Sequence, residues 1–199
     1  MEKISVKLDA HKLKKINDLM FILVEKFTVN FDKLITVYLD FYKPMLENEI
    51  ALANISNEDK ILHIGGGYIP ATPIYIVKKT DADVTTIDKD LKSVEKAKIL
   101  ISKLKLLNKI HVIHANALDF PLDEFNLIIL SLGIKSYDEV LTYISKNMRS
   151  DARLIVRTNS SIDGNLVEKD FFLKNIFKLE RIVHQKKNGL LISVLLSKK

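Results

Sequence analysis

Residues 63–72, HIGGGYIPAT, place three consecutive glycines, Gly65, Gly66 and Gly67, at the end of the apolar run KILHI. Glycine has no Cβ, so such a run can take positive φ and bring bare backbone against a bound molecule. A dinucleotide fingerprint, G-x-G-x-x-G, would fit Gly65 and Gly67 but needs glycine where this chain has Pro70. The loop is therefore poorly shaped for a pyrophosphate. Asp88 ends the run DVTTID, 21 residues beyond Gly67. At that spacing a strand-end carboxylate accepts hydrogen bonds from both hydroxyls of a ribose; the plainer alternative is that it caps the next helix. Loop and acid together point to a nucleoside without phosphates.

Other candidates carry less. Tyr68 puts a phenol inside the loop, where it orients a nucleophile or the ligand, or packs helices against the sheet. Glu47 and Glu49 lie in the stretch leading into the core, where an acid can bind a substrate amine; as ordinary surface charges they would be inert. His11, His63, His111, His114 and His184 include no i, i+4 pair, and a metal site is not expected. His111 and His114 sit three apart on one strand and face opposite ways. His63 fits a satisfied, partly buried imidazole better than a base. Ser160-Ser161 lacks the G-x-S-x-G elbow of an acyl-transferring nucleophile. With zero cysteines there is neither disulfide nor thiolate chemistry.

The elements that must position these residues follow from periodicity. Leu13, Ile16, Met20, Leu23, Val24 and Phe27 recur at helical spacing, and after Asn30 as a cap so do Phe31, Leu34, Tyr38 and Phe41. Pro44 is expected to break the second helix, with a third, short helix over residues 45–55. These helices need a partner for their apolar stripe, either the sheet or a second subunit. From residue 60 strands and helices alternate: KILHI, then TPIYIVKK with Thr72 as cap and Pro73 at its first position, then DVTTID. A long helical stretch leads to KIHVIH; FNLIILSLG, a strand buried on both faces, the helix YDEVLTYISKNM and the strand ARLIVRTN follow. KLERIVHQ and LLISVLLS flank KKNG, where Asn188-Gly189 signals a hairpin. The expected fold is α/β: a Rossmann-like, mostly parallel sheet with helices on both faces and a C-terminal antiparallel hairpin. Residues 1–57 form a helical cap and 58–199 the nucleoside-binding domain.

The chain has 199 residues, a formal net charge of +6 and 47% hydrophobic content. Its excess charge lies in residues 58–199 as scattered lysines, which favours a solvated basic surface over a nucleic-acid footprint. No apolar run is long enough to span a bilayer, and the N-terminus lacks a signal-peptide core, so a cytoplasmic location is expected.

In order, IGGG, TTID, HANALDFP and FNLIILSLG resemble the motifs of class I S-adenosylmethionine-dependent methyltransferases. The resemblance implies that Gly65, Gly66 and Gly67 face the methionine part of S-adenosylmethionine. It implies further that Asp88, with Lys89 beside it, binds the ribose, that Asn116 and Ala117 contact adenine, and that Ser131 and Leu132 line the cofactor after the fourth strand. More narrowly, IGGGYIPAT, LIVRTNSS with Arg157, and RIVHQKKNGLLISVLLSKK are similar to nicotianamine synthases, which share the fold but transfer a 3-amino-3-carboxypropyl group. The expected activity is methyl transfer to a small amine- or carboxylate-bearing acceptor held among Tyr68, Glu49 and Arg157 under the N-terminal helices. The alternatives are aminocarboxypropyl transfer and a non-catalytic cofactor-binding or RNA-associated module.

Overall fold

Short runs of β-branched and aliphatic residues, each closed by a turn, build the sheet. The computed structural model describes residues 32–160, 173–185 and 191–199. Helix α1 (Asp32–Ala53) precedes strand β1 (Lys60–Ile64), helix α2 (Ala71–Thr80), strand β2 (Asp83–Asp88) and helix α3 (Leu91–Lys103). Strands β3 (Ile110–His114) and β4 (Leu127–Leu130), helix α4 (Tyr137–Asn147) and strand β5 (Arg153–Asn159) continue the alternation. The short helix α5 (Leu173–Ile176) and strands β6 (Phe177–His184) and β7 (Leu191–Lys198) close it.

The seven strands lie in the order β3-β2-β1-β4-β5-β7-β6. The first five are mutually parallel, while β7 runs antiparallel to both β5 and β6. This is the Rossmann-like sheet with a C-terminal hairpin that the sequence implies. Alternation along each strand separates two cores. Ile61, Ile129 and Ile155 face α1, α2 and α3, whereas Leu62, Ile128, Leu130 and Leu154 face α4.

Three local expectations need correction. Helix α1 is continuous through Pro44. Proline removes one hydrogen bond from a helix interior, and here apolar anchors on both sides, Ile35 and Tyr38 before it and Met45 and Leu46 after it, are buried and hold the axis together. Its buried stripe is also rotated: Ile35 is inside, while Leu34 and Phe41 are 37% and 54% exposed. Thr72 is not the cap of α2. The helix starts at Ala71 after Pro70, without a side-chain cap, and the Thr72 hydroxyl is used elsewhere. The expected helix over residues 13–27 and the Asn188-Gly189 turn lie outside the described residues.

The end of α1 is tied down from the sheet. Its last turn contains no basic residue of its own, and arginines of two strands supply the missing donors: Arg153 of β5 to the carbonyl of Ala53, and Arg181 of β6 to that of Leu52. Cationic donors at a helix C-terminus satisfy orphan carbonyls and complement the dipole. Arg153 also pairs with the buried carboxylate of Asp59.

Candidate functional site

The carboxyl ends of parallel strands are where an open α/β sheet binds ligands, and the glycine loop follows β1 at that end. Gly65 and Gly67 take φ of 91° and 64°, a region that side chains resist. A Cβ on Gly65 would lie 2.6 Å from Ile134 Cδ1 and 3.1 Å from Ser131 Cβ, and one on Gly66 would lie 2.7 Å from Thr86 Oγ1. The loop is therefore pressed against the turn after β4 and against β2. Its N–H groups are engaged within the protein: Gly65 and Gly66 donate to Ile87 O at 2.9 and 3.1 Å, and Gly67 donates to Asp88 Oδ2 at 2.8 Å.

Asp88 ends β2 half-buried, and its Oδ1 accepts from Asp90 N at 2.9 Å. The carboxylate thus braces the loop and the start of α3 together. Each carboxylate oxygen keeps a second lone pair, so Asp88 can still accept from two hydroxyl donors. Lys89 is exposed, with its carbonyl accepting from His114 Nε2 at 3.0 Å. Asn116 is exposed and folds its amide oxygen onto Leu118 N at 3.3 Å, while Ala117 beside it is buried. Ser131 is half-buried next to Gly65, and Leu132 is exposed.

The acceptor candidates divide. Tyr68 is buried and donates to Asp90 Oδ2 at 3.3 Å. Burial, then the Asp90 charge, push its pKa up, so it is a phenol and not a phenolate. Glu49 and Arg157 meet instead in a buried fork. Arg157 Nε donates to Glu49 Oε1 at 2.8 Å, and its Nη2 donates to Glu49 Oε2 at 2.7 Å and to Thr72 Oγ1 at 2.9 Å. Glu49 is therefore not a surface charge: it is 0% exposed. Burial works against the Arg157 charge, but the Glu49 carboxylate more than offsets it and the guanidinium pKa is raised.

Residues without a sequence motif complete this network. Asn48 Nδ2 donates to Gln185 Oε1 at 2.8 Å, Gln185 Nε2 to Ser193 Oγ at 3.1 Å, and Ser193 Oγ to Glu49 Oε1 at 2.6 Å. Every donor in the chain points toward the carboxylate. The one sequence signal is a serine inside the apolar strand LLISVLLS, where an unpartnered hydroxyl would be costly. His63 is buried as well as satisfied, bound to Thr86 and Ser131. Among the described residues no group of three His, Asp or Glu side chains converges to hold a metal, and no helix is long and apolar enough to cross a membrane.

Known proteins resemble this chain in fold and in sequence. MtNAS, solved as a glutamate-to-glutamine variant with S-adenosylmethionine, superposes with a TM-score of 0.75 at 18% identity, covering 94% of this chain and 75% of that one. An S-adenosylmethionine-dependent methyltransferase from Aquifex aeolicus superposes with a TM-score of 0.63 at 17% identity, over 76% of this chain and 88% of the other. Among curated proteins, L-histidine 2-aminobutanoyltransferase of Yersinia pestis is 26% identical over 127 residues, 63% of this chain. The matched part spans 47% of that relative's length. The model of the nicotianamine synthase protein family matches residues 31–198, from the start of α1 to the last strand. The chain belongs to the nicotianamine synthase family.

Proposed function

We propose that the protein transfers the 3-amino-3-carboxypropyl arm of S-adenosylmethionine to an amine of a small acceptor, in preference to the methyl transfer expected from the broader motif series. The observation that carries this reading is the extent of the family match. It takes in α1, the parallel strands and the closing hairpin, the three parts that the Glu49–Arg157–Ser193 network joins. The curated relative's name specifies transfer of a 2-aminobutanoyl group to L-histidine, which makes an amino acid the first acceptor to try.

S-adenosylmethionine supplies a sulfonium: the acceptor nitrogen bonds to the γ-carbon of the arm as the C–S bond breaks, the electron pair passes to sulfur, methylthioadenosine leaves and the nitrogen loses a proton. The chain's part is to orient and to exclude water. In this reading Asp88 receives the ribose hydroxyls, Lys89 flanks them, and Asn116 and Ala117 border the adenine. Gly65, Gly66 and Gly67, with Ser131 and Leu132, border the amino-acid arm. Arg157 holds Glu49 on the acceptor side, where the acceptor amine donates to Oε1 in place of the Ser193 hydroxyl. Tyr68 holds the loop to α3 through Asp90.

The test uses the full chain with S-adenosylmethionine labelled either in the methyl group or in the carboxyl carbon, and with L-histidine and other amino acids as acceptors. Carboxyl label in the acceptor together with methylthioadenosine is the expected outcome. Methyl label in the acceptor together with S-adenosylhomocysteine would establish methyl transfer instead.

A further inference from the structure

A second polar row crosses the sheet from β2 over β1 to the end of β4. Thr86 Oγ1 on β2 lies 2.9 Å from His63 Nδ1 on β1, and His63 Nε2 lies 2.8 Å from Ser131 Oγ, just past β4. Thr86 and His63 are 0% and 2% exposed, so neither can turn to solvent. Ser131 is half-buried at the edge of the glycine loop.

A neutral imidazole has one N–H and one lone pair, and the protonated nitrogen decides the direction of both bonds. Burial and, after it, the positive charge of Arg157 keep His63 well below its ordinary pKa, so the ring is neutral. The Thr86 hydroxyl has His63 Nδ1 as its one hydrogen-bond partner among the described residues. A proton on Nδ1 would donate to Thr86 and leave the buried Thr86 O–H with no acceptor, a costly arrangement. With the proton on Nε2 every group is satisfied: Thr86 donates to Nδ1, and Nε2 donates to Ser131 Oγ. The Ser131 hydroxyl proton is then directed away from the histidine. Nearby donors are already committed, because Gly65, Gly66 and Gly67 give their N–H groups to Ile87 and Asp88, and Ser131 N donates to Ile64 O.

We propose that His63 is a positioning residue, whose Nε2–H fixes the Ser131 hydroxyl as the hydrogen-bond donor to the carboxylate of the nucleoside's amino-acid arm. The proposal rests on the S-adenosylmethionine reading of the site. It separates two nucleosides that share adenosine and sulfur: S-adenosylhomocysteine carries the carboxylate and methylthioadenosine does not.

Calorimetric titration of the full chain with both nucleosides provides the test. Ser131→Ala should weaken S-adenosylhomocysteine by about tenfold or more, as for a lost hydrogen bond to a charged group, and leave methylthioadenosine unchanged. His63→Phe should show the same selective loss, and His63→Gln, whose amide can accept from Thr86 and donate to Ser131, should recover part of it. In the ligand-free wild type, ¹⁵N–¹H spectra of the imidazoles, assigned by subtraction with His63→Gln, should show His63 protonated on Nε2. Protonation on Nδ1, or a Ser131→Ala effect that is absent or equal for both nucleosides, would overturn the proposal. A wild type that binds neither nucleoside would overturn the cofactor reading, and with it the ligand assigned to Ser131, whatever tautomer the spectra report.

Discussion

Asp88 accepts two backbone N–H groups in the protein itself, from Gly67 and Asp90, so its removal should be felt twice. Asp88→Ala should weaken S-adenosylhomocysteine by about 1.5–3 kcal/mol, roughly ten- to hundredfold, and should also lower the melting temperature because the loop loses its brace. Calorimetry and thermal melts separate the two losses, and an unchanged dissociation constant would remove Asp88 from the site. The carboxylate and its spacing were legible in the sequence; its second duty was not, since the bond to Gly67 exists only once β1 and β2 pair. His63 carries a pH signature. Its folded pKa lies well below the ordinary value of 6.5, so below about pH 6.5 the unfolded chain binds the proton that the folded one refuses. The stabilisation is fully present above that pH and is lost as the pH falls toward the folded-state value. Melting temperature against pH should decline on the acid side, and His63→Gln should flatten that part of the decline.

Helix α1 is held by charge as much as by apolar burial. The Glu49–Arg157 fork is buried on both sides, and removing one member of such a pair leaves an uncompensated charge at a cost of about 3–5 kcal/mol. Glu49→Leu should therefore be strongly destabilising in urea unfolding, while Glu49→Leu combined with Arg157→Met should recover most of the loss without restoring transferase activity. An additive double variant would show that the pair is not the anchor. Pro44 offers a test in the opposite direction. It interrupts the backbone ladder of a helix that is continuous around it, and Pro44→Ala should raise stability by up to about 3 kcal/mol, the intrinsic difference between the two residues in a helix interior. The helical character of this stretch was plain from its periodicity. Its continuity and the facing of its stripe were not, because both are decided by what α1 packs against: Ile35 and Tyr38 join the core that Ile61 and Ile129 build from the sheet.

For the whole molecule, ligand binding should appear as stability. S-adenosylhomocysteine at about 100 times its dissociation constant should add about 2.7 kcal/mol to the unfolding free energy by mass action, and NADH at the same concentration should add none, since Pro70 stands where a pyrophosphate loop needs glycine. Equal stabilisation by NADH would contradict the reading of that loop. The alternating core, the closing hairpin, the glycine loop and the strand-end acid were all readable in the sequence, because each is written in short-range terms: periodicity within an element, turn chemistry between elements, and a fixed spacing across one βαβ unit. Tertiary structure alone decided the rest. Glu49 and Arg157 are 108 residues apart, and Glu49 and Ser193 are 144 apart; no local pattern tells a surface glutamate from one that a distant arginine will bury. The arginines that cap α1 come from β5 and β6, and the roles of His63 and Ser131 depend on three strands lying side by side. Burial and polar partnership are properties of the packed sheet, and they become defined only when the strand order brings those side chains to one face.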